Sequence, residues 1–273
     1  MKKENNTKII FIDLDGTTLD IKEKGQAFVS QENVDAVQKC LQKGIQVVVS
    51  TGRGELKRTF EINEKLGLGK NIIFWNGSKV IKNGETIFEK HVKKHVVSEL
   101  FKLAEKHRIT TILNSDFRNH SYTKSIFFKL GILFKKGNPK KYEHFQNNFE
   151  VYKLIFWNPK QKKVDEFYKL LSEKFSDELT VSYAGEKNNF LEVTALNCSK
   201  GEAERIYAAS ENVDLKDCVH FGDSMNDAST ANVVGTLIAM ANGVRPLKEI
   251  ANIVSEFDYK NGGLAKTIEK YIL

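Results

Sequence analysis

The sequence is poor in proline and cysteine, and it has no long apolar run. It has three prolines in 273 residues and no long Gly/Ser tract, which argues against a flexible linker between separate modules. The cysteines, Cys40, Cys198 and Cys218, are odd in number and form no C-x-x-C pair, which argues against a disulfide framework and for a reducing compartment. The N-terminal stretch MKKENNTKIIFIDLDG has an apolar run of only about four residues that ends in acid, unlike a signal peptide or a membrane span. We therefore expect a cytoplasmic protein.

The positive charge of the chain is spread rather than concentrated. The formal net charge is +7, yet the lysines occur singly or in pairs, with no arginine-rich block and no interleaved aromatic platform. A solvated, lysine-rich surface explains this best, attraction to phosphate esters comes second, and nucleic-acid binding comes last. We therefore expect no nucleic acid and no membrane as partners, and no obligate protein partner is evident.

Two alternating stretches of strands and helices flank a different middle portion. KIIFI, IQVVVSTGR and NIIFWNGS are apolar runs separated by helix-length segments, which predicts βαβ units and a parallel sheet. After a predicted hairpin at Asn83-Gly84 the pattern becomes mixed, and residues 129–149, rich in Lys, Asn and Gly, should form a mobile fringe. The alternation then returns. The prediction is an α/β fold with a doubly wound, Rossmann-like core of residues 1–87 and 189–273, and an inserted α+β domain of residues 88–188.

Polar side chains follow the predicted parallel strands, where ligands bind in open α/β sheets. The strands deliver Asp13 and Asp15, then Ser50-Thr51-Gly52, Asn76-Gly77, and Gly222-Asp223 with Asn226 and Asp227, while Lys200 opens a helix. Carboxylates are the ligands that Mg²⁺ prefers, whereas a phosphoryl group is bound by amides, a hydroxyl and an amine. The set therefore indicates a site for Mg²⁺ and a phosphoryl group.

The two acids of the first strand have different predicted roles. With Mg²⁺ and Lys200 nearby, Asp13 can stay ionised and act as a nucleophile. Asp15 lies two residues on, on the same side of an extended segment, and could protonate a leaving oxygen and later deprotonate water. A turn at the end of a strand would explain the aspartates alone, and a surface position would explain the lysine alone. Neither explains why the whole set follows neighbouring strands of one sheet. We expect Asn76 to shape the pocket and His220 to be a packed core residue.

Four motifs in order resemble the haloacid dehalogenase superfamily of aspartate-nucleophile phosphatases. DLDGTTLD is similar to its D-x-D-G-T-[LT]-L signature, VVVSTGR to its second motif, SKGEA to its lysine motif and GDSMND to its acidic fourth motif. The TGR, NG and GDSMND forms, with an insert after the third strand, are similar to the Cof-type subgroup with a type IIB cap. Small departures are Thr18, where leucine is usual, and Ser229-Thr230, where the family has a more apolar pair.

The resemblance implies a role for each matching residue. Asp13 would be the nucleophile and Asp15 the general acid and base. Mg²⁺ would be held by the Asp13 and Asp223 carboxylates and the Asp15 carbonyl, with Asp227 supporting the metal site. The phosphate would be bound by Thr51, Lys200, Asn226 and the amides around Leu14 and Gly52.

The predicted function is a Mg²⁺-dependent phosphatase of small phosphorylated metabolites, working through an aspartyl-phosphate. Sugar phosphates, nucleotides and phosphorylated cofactors all fit as substrates, and the insert would be a cap that reads the leaving group. Two alternatives remain open, namely a phosphomutase-type phosphotransferase and a receiver-like protein that binds phosphate without turnover.

Overall fold

The computed structural model describes residues 6–23, 25–185 and 189–273. The first third of the chain forms β1 (Ile9–Ile12), β2 (Ile21–Glu23), β3 (Gln26–Phe28), α1 (Gln31–Gln42), β4 (Gln46–Ser50), α2 (Lys57–Lys65), β5 (Ile72–Phe74), β6 (Lys79–Lys82) and β7 (Glu85–Glu89). The middle forms α3 (Lys94–His107), β8 (Thr110–Leu113), β9 (Ser121–Tyr122), α4 (Ile126–Phe134), β10 (Pro139–Lys140), β11 (Lys153–Trp157), α5 (Gln161–Lys174), β12 (Leu179–Ala184) and β13 (Phe190–Ala195). The last part forms α6 (Lys200–Ser210), β14 (Cys218–Gly222), β15 (Thr236–Ala239), α7 (Arg245–Ile250), β16 (Ile253–Val254) and α8 (Gly263–Tyr271). Short 3-10 turns lie at Trp75–Gly77, Tyr142–His144, Leu215–Asp217 and Asp227–Thr230.

The first of two units holds the predicted parallel sheet. It comprises Met1–Thr51, Glu55–Phe88 and Ser199–Leu273. Its eight strands run in the order β16-β15-β14-β1-β4-β5-β6-β7, and all pairs from β16 to β5 are parallel. The chain leaves β1 toward β4 on one side and reaches β14 on the other, so the order reverses at β1. That reversal is the point at which α/β sheets bind ligands.

The central strand β1 explains why this sheet forms. All four of its residues, Ile9 to Ile12, are fully buried, as expected for a parallel strand covered on both faces. Ile12 lies opposite Val49 of β4 and Phe221 of β14. The three strands therefore end side by side, which brings together the residues that follow them.

The second unit is built on a separate sheet and comprises Gly52–Gly54 and Glu89–Cys198. Its strand order is β10-β9-β8-β11-β13-β12, with antiparallel pairs except for β9 and β10. Helices α3 and α5 supply the apolar side chains of its core, among them Leu100, Phe101, Phe167 and Leu171. The predicted fold class, an α/β core with an inserted α+β domain, is the one observed.

The insert ends later than we predicted. The predicted limit, residue 188, lies outside the described residues, but β13 beyond it pairs with both β11 and β12. The second unit therefore extends to Cys198. The supposed mobile fringe at 129–149 also carries regular structure, since part of α4, the strand β10 and a 3-10 turn with a buried Tyr142 lie in it.

Two further observations concern the expectations on compartment and membrane. The three cysteines are buried and free. Within the described ranges, none of the helices combines the length and apolarity needed to cross a membrane.

Candidate active site

The first unit brings its predicted acids and lysine together at the carboxyl end of the sheet. Asp13 follows β1 directly, Asp223 follows β14, and Asp227 begins the 3-10 turn after it. Lys200 is the first residue of α6, where the Ser199 hydroxyl accepts a hydrogen bond from the Glu202 amide at 3.2 Å and so fixes the start of the helix.

Lys200 is the central cation of the site. Its side chain is completely buried, and its Nζ lies 2.5 Å from Asp13 Oδ1 and 2.6 Å from Asp227 Oδ1. Burial alone would lower the pKa of Lys200, but the charges of Asp13 and Asp227 outweigh it and raise the pKa. Lys200 is therefore an ammonium held between two carboxylates.

Asp227 has both carboxylate oxygens fully engaged. Oδ1 accepts hydrogen bonds from Lys200 Nζ and from His220 Nε2 at 2.9 Å, and Oδ2 accepts them from the Asp223 and Ser224 amides, both at 2.9 Å. Burial would raise the pKa of Asp227, but Lys200 and His220 outweigh it and hold the pKa well below the ordinary range. A carboxylate with four partners orients its neighbours, and the role of Asp227 in supporting the metal site, which the resemblance implies, stays a prediction.

His220 and Glu204 extend this network, and sequence reasoning missed their role. His220 is buried, as expected of a core residue, but its Nδ1 lies 2.8 Å from Glu204 Oε1, which also accepts a hydrogen bond from Ser50 Oγ at 2.7 Å. Burial lowers the pKa of His220, whereas Glu204 and Asp227 raise it to about 9. The sequence held one signal, because Glu204 stands four residues after Lys200 and so on the same face of α6.

Asp13, Asp223 and Asp227 form a cluster of acids that can hold a cation. Each offers an oxygen atom within 4.8 Å of the others. Burial and the charges of neighbouring acids raise the pKa of Asp13 to about 6, although Lys200 acts against the shift. Burial, Asp13 and Asp227 raise the pKa of Asp223 to about 8.

The charges and the donor atoms of this cluster fit a divalent cation. Of the three carboxyl groups, those of Asp13 and Asp227 pair with the single ammonium of Lys200, while His220 balances Glu204, so that two negative charges remain when all three acids are ionised. The donors are all oxygen atoms, which hard cations such as Mg²⁺ prefer. The raised pKa values of Asp13 and Asp223 express the same excess of negative charge.

The turn after β1 carries Leu14, Asp15 and Gly16. Leu14 is buried and its carbonyl accepts hydrogen bonds from the Thr18 and Leu19 amides, whereas Asp15 is exposed. Gly16 has a φ of +82°, and a Cβ atom there would lie 2.3 Å from Asp223 Oδ2. Glycine therefore allows the turn to pass close to the acid cluster.

The predicted phosphate-binding residues Thr51 and Asn226 lie on either side of Asn76. Thr51 is buried, its amide donates to the Ile73 carbonyl at 2.9 Å, and its carbonyl accepts from the Asn76 amide at 3.0 Å. Asn226 Nδ2 donates to Asn76 Oδ1 at 3.0 Å. Asn76, which has a left-handed backbone with φ of 57°, thus fixes both segments, as a residue that shapes the pocket should.

Gly52 lies in a loop that groups with the second unit. Its carbonyl accepts hydrogen bonds from Lys153 Nζ and Ser115 Oγ, both at 3.1 Å. Lys153 is buried and also pairs with Glu192, a role that sequence reasoning missed. Its signal was a lysine inside the apolar strand VYKLIFW.

The residues that depart from the family pattern hold the backbone of the site. Thr18 Oγ1 donates to the Asp13 carbonyl at 2.5 Å. Ser229 Oγ donates to the Asn226 carbonyl at 2.9 Å and accepts from the Gly201 amide at 3.2 Å, so that it links the fourth motif to the start of α6. Thr230 Oγ1 donates to the Asp227 carbonyl at 2.8 Å.

Comparison with known proteins decides the family. A family model described as haloacid dehalogenase-like hydrolase matches residues 10–268, nearly the whole chain. The chain belongs to this family. The hydrolase is 26% identical to the 5-amino-6-(5-phospho-D-ribitylamino)uracil phosphatase YwtE of Bacillus subtilis, over 93% of its own chain and 95% of that protein. It is 27% identical to the phosphatase YwpJ of the same organism, over 93% of its own chain and 96% of that protein.

Solved structures show the same fold. A haloacid dehalogenase-like hydrolase from B. subtilis matches with a TM-score of 0.80 and 24% identity, covering 98% of this hydrolase and all of that chain. A subclass IIB sugar phosphatase matches with a TM-score of 0.79 and 19% identity, covering 97% of this hydrolase and 99% of that chain. The predictions of the family, the fold class and a hydrolase of phosphoric monoesters are thus confirmed.

Proposed function

We propose that this hydrolase is a Mg²⁺-dependent phosphatase of small phosphorylated metabolites that works through an aspartyl-phosphate on Asp13. One observation carries the proposal: a buried lysine lies 2.5 Å from Asp13 Oδ1, beside the acids Asp223 and Asp227. Because Lys200 pairs with one oxygen of Asp13, the other oxygen is left for nucleophilic attack. The negative charge that remains in the site favours the binding of a cation. A phosphomutase would use the same aspartyl nucleophile, and the phosphatase is preferred to both alternatives because relatives that match over nearly the whole chain are named phosphatases.

Asp13 is prepared to act as the nucleophile at neutral pH. Its pKa of about 6, raised chiefly by burial, still leaves it mostly ionised at pH 7. Lys200 holds Oδ1, which leaves Oδ2 for attack on phosphorus. Thr18 fixes the Asp13 carbonyl and thereby the direction of the side chain.

The metal would be held by the carboxylates of Asp13 and Asp223 and by the carbonyl of Asp15, with Asp227 orienting the segment that carries Asp223. When bound, Mg²⁺ supplies positive charge to the phosphoryl oxygens and to the acid cluster. Lys200, Thr51, Asn226 and the amides of Leu14 and Gly52 would complete the phosphate site.

The proposed reaction has two displacements. Asp13 forms an O–P bond while the ester P–O bond breaks, and Asp15 donates a proton to the leaving alkoxide. Asp15 then takes a proton from the water that attacks phosphorus, the Asp13–phosphorus bond breaks, and inorganic phosphate leaves. The exposure of Asp15 supports this assignment, because an exposed acid can exchange protons with solvent.

The second unit is proposed to be a cap that excludes water and reads the leaving group. The first compound to test is 5-amino-6-(5-phospho-D-ribitylamino)uracil, because two relatives, at 26% and 25% identity, are named for its hydrolysis. Sugar phosphates, nucleotides and phosphorylated cofactors form the rest of the panel.

The decisive experiment is Asp13→Asn, assayed with a chromogenic phosphate monoester and Mg²⁺. We expect turnover to fall by about 10³-fold or more, as for the loss of a nucleophile in other enzymes. Asp214→Asn removes an exposed acid from the same unit and should leave turnover unchanged. Near-native turnover by Asp13→Asn would refute the mechanism. A requirement for a sugar bisphosphate, with isomerised product and no free phosphate, would instead establish the phosphomutase.

A further inference from the structure

Helix α4 of the second unit exposes an unusually apolar face. Its sequence is IFFKLGILF, and Phe127 and Phe134 are 84% and 91% exposed. Ile126, Leu130 and Leu133 are each more than half exposed on the same side. The opposite side anchors the helix, since the Phe128 ring lies 4.8 Å from that of Trp157 and Ile132 is fully buried. We call the five exposed side chains the α4 face.

The α4 face is larger than the patches that soluble monomers normally leave in water. Its two phenylalanine rings alone expose roughly 350 Å², taking about 200 Å² for a whole side chain, and three aliphatic side chains add to this. A contiguous apolar surface of several hundred Å² marks an interaction site.

Lysines surround the α4 face. Residues 121–142 contain six lysines and no acid. Two of these are paired, Lys124 with Glu105 and Lys141 with Glu143. The other four, Lys129, Lys135, Lys136 and Lys140, form no ion pair with a carboxylate among the residues that the structure describes.

A basic cavity of about 800 Å³ adjoins the N-terminal end of the α4 face. Phe127 lies in its wall, and its cationic lining consists of Arg108, Lys124, Lys129, Lys141, Lys160 and Lys163, against the acids Glu105 and Glu143. Neither α4 nor α5, whose first residues border the cavity, has an acidic residue in its first turn. The positive ends of both helix dipoles therefore add to the charge of the lysines.

We propose that the α4 face and its lysines dock on the surface of a bilayer that contains anionic lipid. Apolar side chains on one side of a short helix, with lysines at its border, are the pattern of a helix that lies in the membrane interface. A second copy of the chain fits less well, because a two-fold contact through the α4 face would bring like-charged lysines together. At nine residues α4 is too short to span a bilayer.

This inference revises the expectation that the protein has no membrane partner. That expectation followed from lysines that are spread singly and in pairs along the sequence, whereas the fold gathers several of them around one exposed apolar helix face. The inference is independent of the chemistry proposed for Asp13, because α4 lies wholly within the second unit.

The test is co-sedimentation of the full chain with vesicles of phosphatidylcholine, with and without phosphatidylglycerol. We expect binding to the anionic vesicles, weakened by added salt, and little binding to phosphatidylcholine alone. The double variant Phe127→Ser/Phe134→Ser should bind at least about tenfold more weakly, since burying one ring is worth about a decade in affinity. Lys135→Glu/Lys136→Glu should also weaken binding.

Matched variants separate the α4 face from general surface effects. Ile250→Ser/Val254→Ser removes two exposed apolar side chains of the first unit, and Lys70→Glu/Lys266→Glu reverses two exposed charges of the same unit. Both should bind vesicles as the wild type does. The Phe127→Ser/Phe134→Ser variant should keep the melting temperature and the turnover of a soluble phosphate ester. The proposal is overturned if the wild type ignores anionic vesicles, if the matched variants lose binding equally, or if the phenylalanine variant only abolishes self-association.

Discussion

Replacing Lys200 with methionine should destabilise the first unit strongly. Methionine keeps most of the length of the side chain but not its charge, so Asp13 and Asp227 lose the ammonium that lies 2.5 and 2.6 Å from them. All three side chains are almost inaccessible to water, at 0%, 6% and 0% exposure for Lys200, Asp13 and Asp227. Removing one partner from a buried ionic group typically costs about 3–5 kcal/mol. For a domain of this size that lowers the melting temperature by about 6–20 °C.

The assay is thermal unfolding in the presence of a chelator, followed by circular dichroism. Lys216→Met is the control, because Lys216 pairs with Asp214 at 3.0 Å on the exposed surface, and this variant should melt as the wild type does. Adding Mg²⁺ should recover more stability in Lys200→Met than in the wild type, since the variant carries one more unbalanced negative charge. A Lys200→Met protein that melts within a degree or two of the wild type would show that the buried ionic network does not stabilise the fold.

Three further predictions concern the same site. Raised pKa values of about 6 for Asp13 and about 8 for Asp223, against 3.8 ordinarily, mean that the folded protein binds protons more tightly than the unfolded chain. The metal-free protein should therefore lose stability as the pH rises from about 5 to 8, and the gain in melting temperature from MgCl₂ should grow over that range; an equal gain throughout would contradict this. Ser229→Ala removes hydrogen bonds to the Asn226 carbonyl and the Gly201 amide, so we expect a loss of about 1 kcal/mol in urea unfolding and a several-fold fall in kcat. Gly201→Ala would place a Cβ atom 2.0 Å from the Ser229 carbonyl oxygen, and the resulting displacement of α6 should cost about 1–3 kcal/mol and abolish turnover; native stability would show that the helix has room to move.

Sequence patterns predicted which side chains lie close together where the position of a residue depends on its own strand. Asp13 and Asp223 each follow an apolar run that ends at the same edge of the sheet, and a Ser-Lys-Gly helix start placed Lys200. Since parallel strands align their carboxyl ends, proximity followed from local signals alone. The acid cluster can therefore be predicted from the sequence alone.

Hydrogen-bond and ion-pair networks that join distant segments could not be predicted in this way. His220 looks like any polar residue in a buried strand, and its pairing with Glu204 and Asp227 depends on how α6 packs against β14. The pairing of Lys153 with Gly52 and Glu192 likewise joins three segments far apart in sequence. Such contacts are set by tertiary packing, which a single sequence does not state.

The predicted C-terminal boundary of the insert differs from the structure for a related reason. The strand β13 carries an apolar run similar to those of the core, so its composition does not say which sheet it joins. Only its pairing with β11 and β12 decides that question. Helix α4 was also missed, because its exposed apolar face and flanking lysines do not have the pattern of a helix packed against a core.

The position of β1 between β4 and β14 has a consequence for synthesis on the ribosome. β4 ends at Ser50, but β14 begins only at Cys218, so at about 5–20 residues per second roughly 10–30 s pass before β1 receives its second neighbour. During that interval β1, whose four residues are all apolar, has an open edge. The residues after Glu89, in contrast, can form most of the second unit from a nearly continuous stretch. A nascent chain would thus complete its insert before the sheet of the first unit, and a product truncated near Cys198 would carry a β1 paired only with β4, whose open edge favours aggregation.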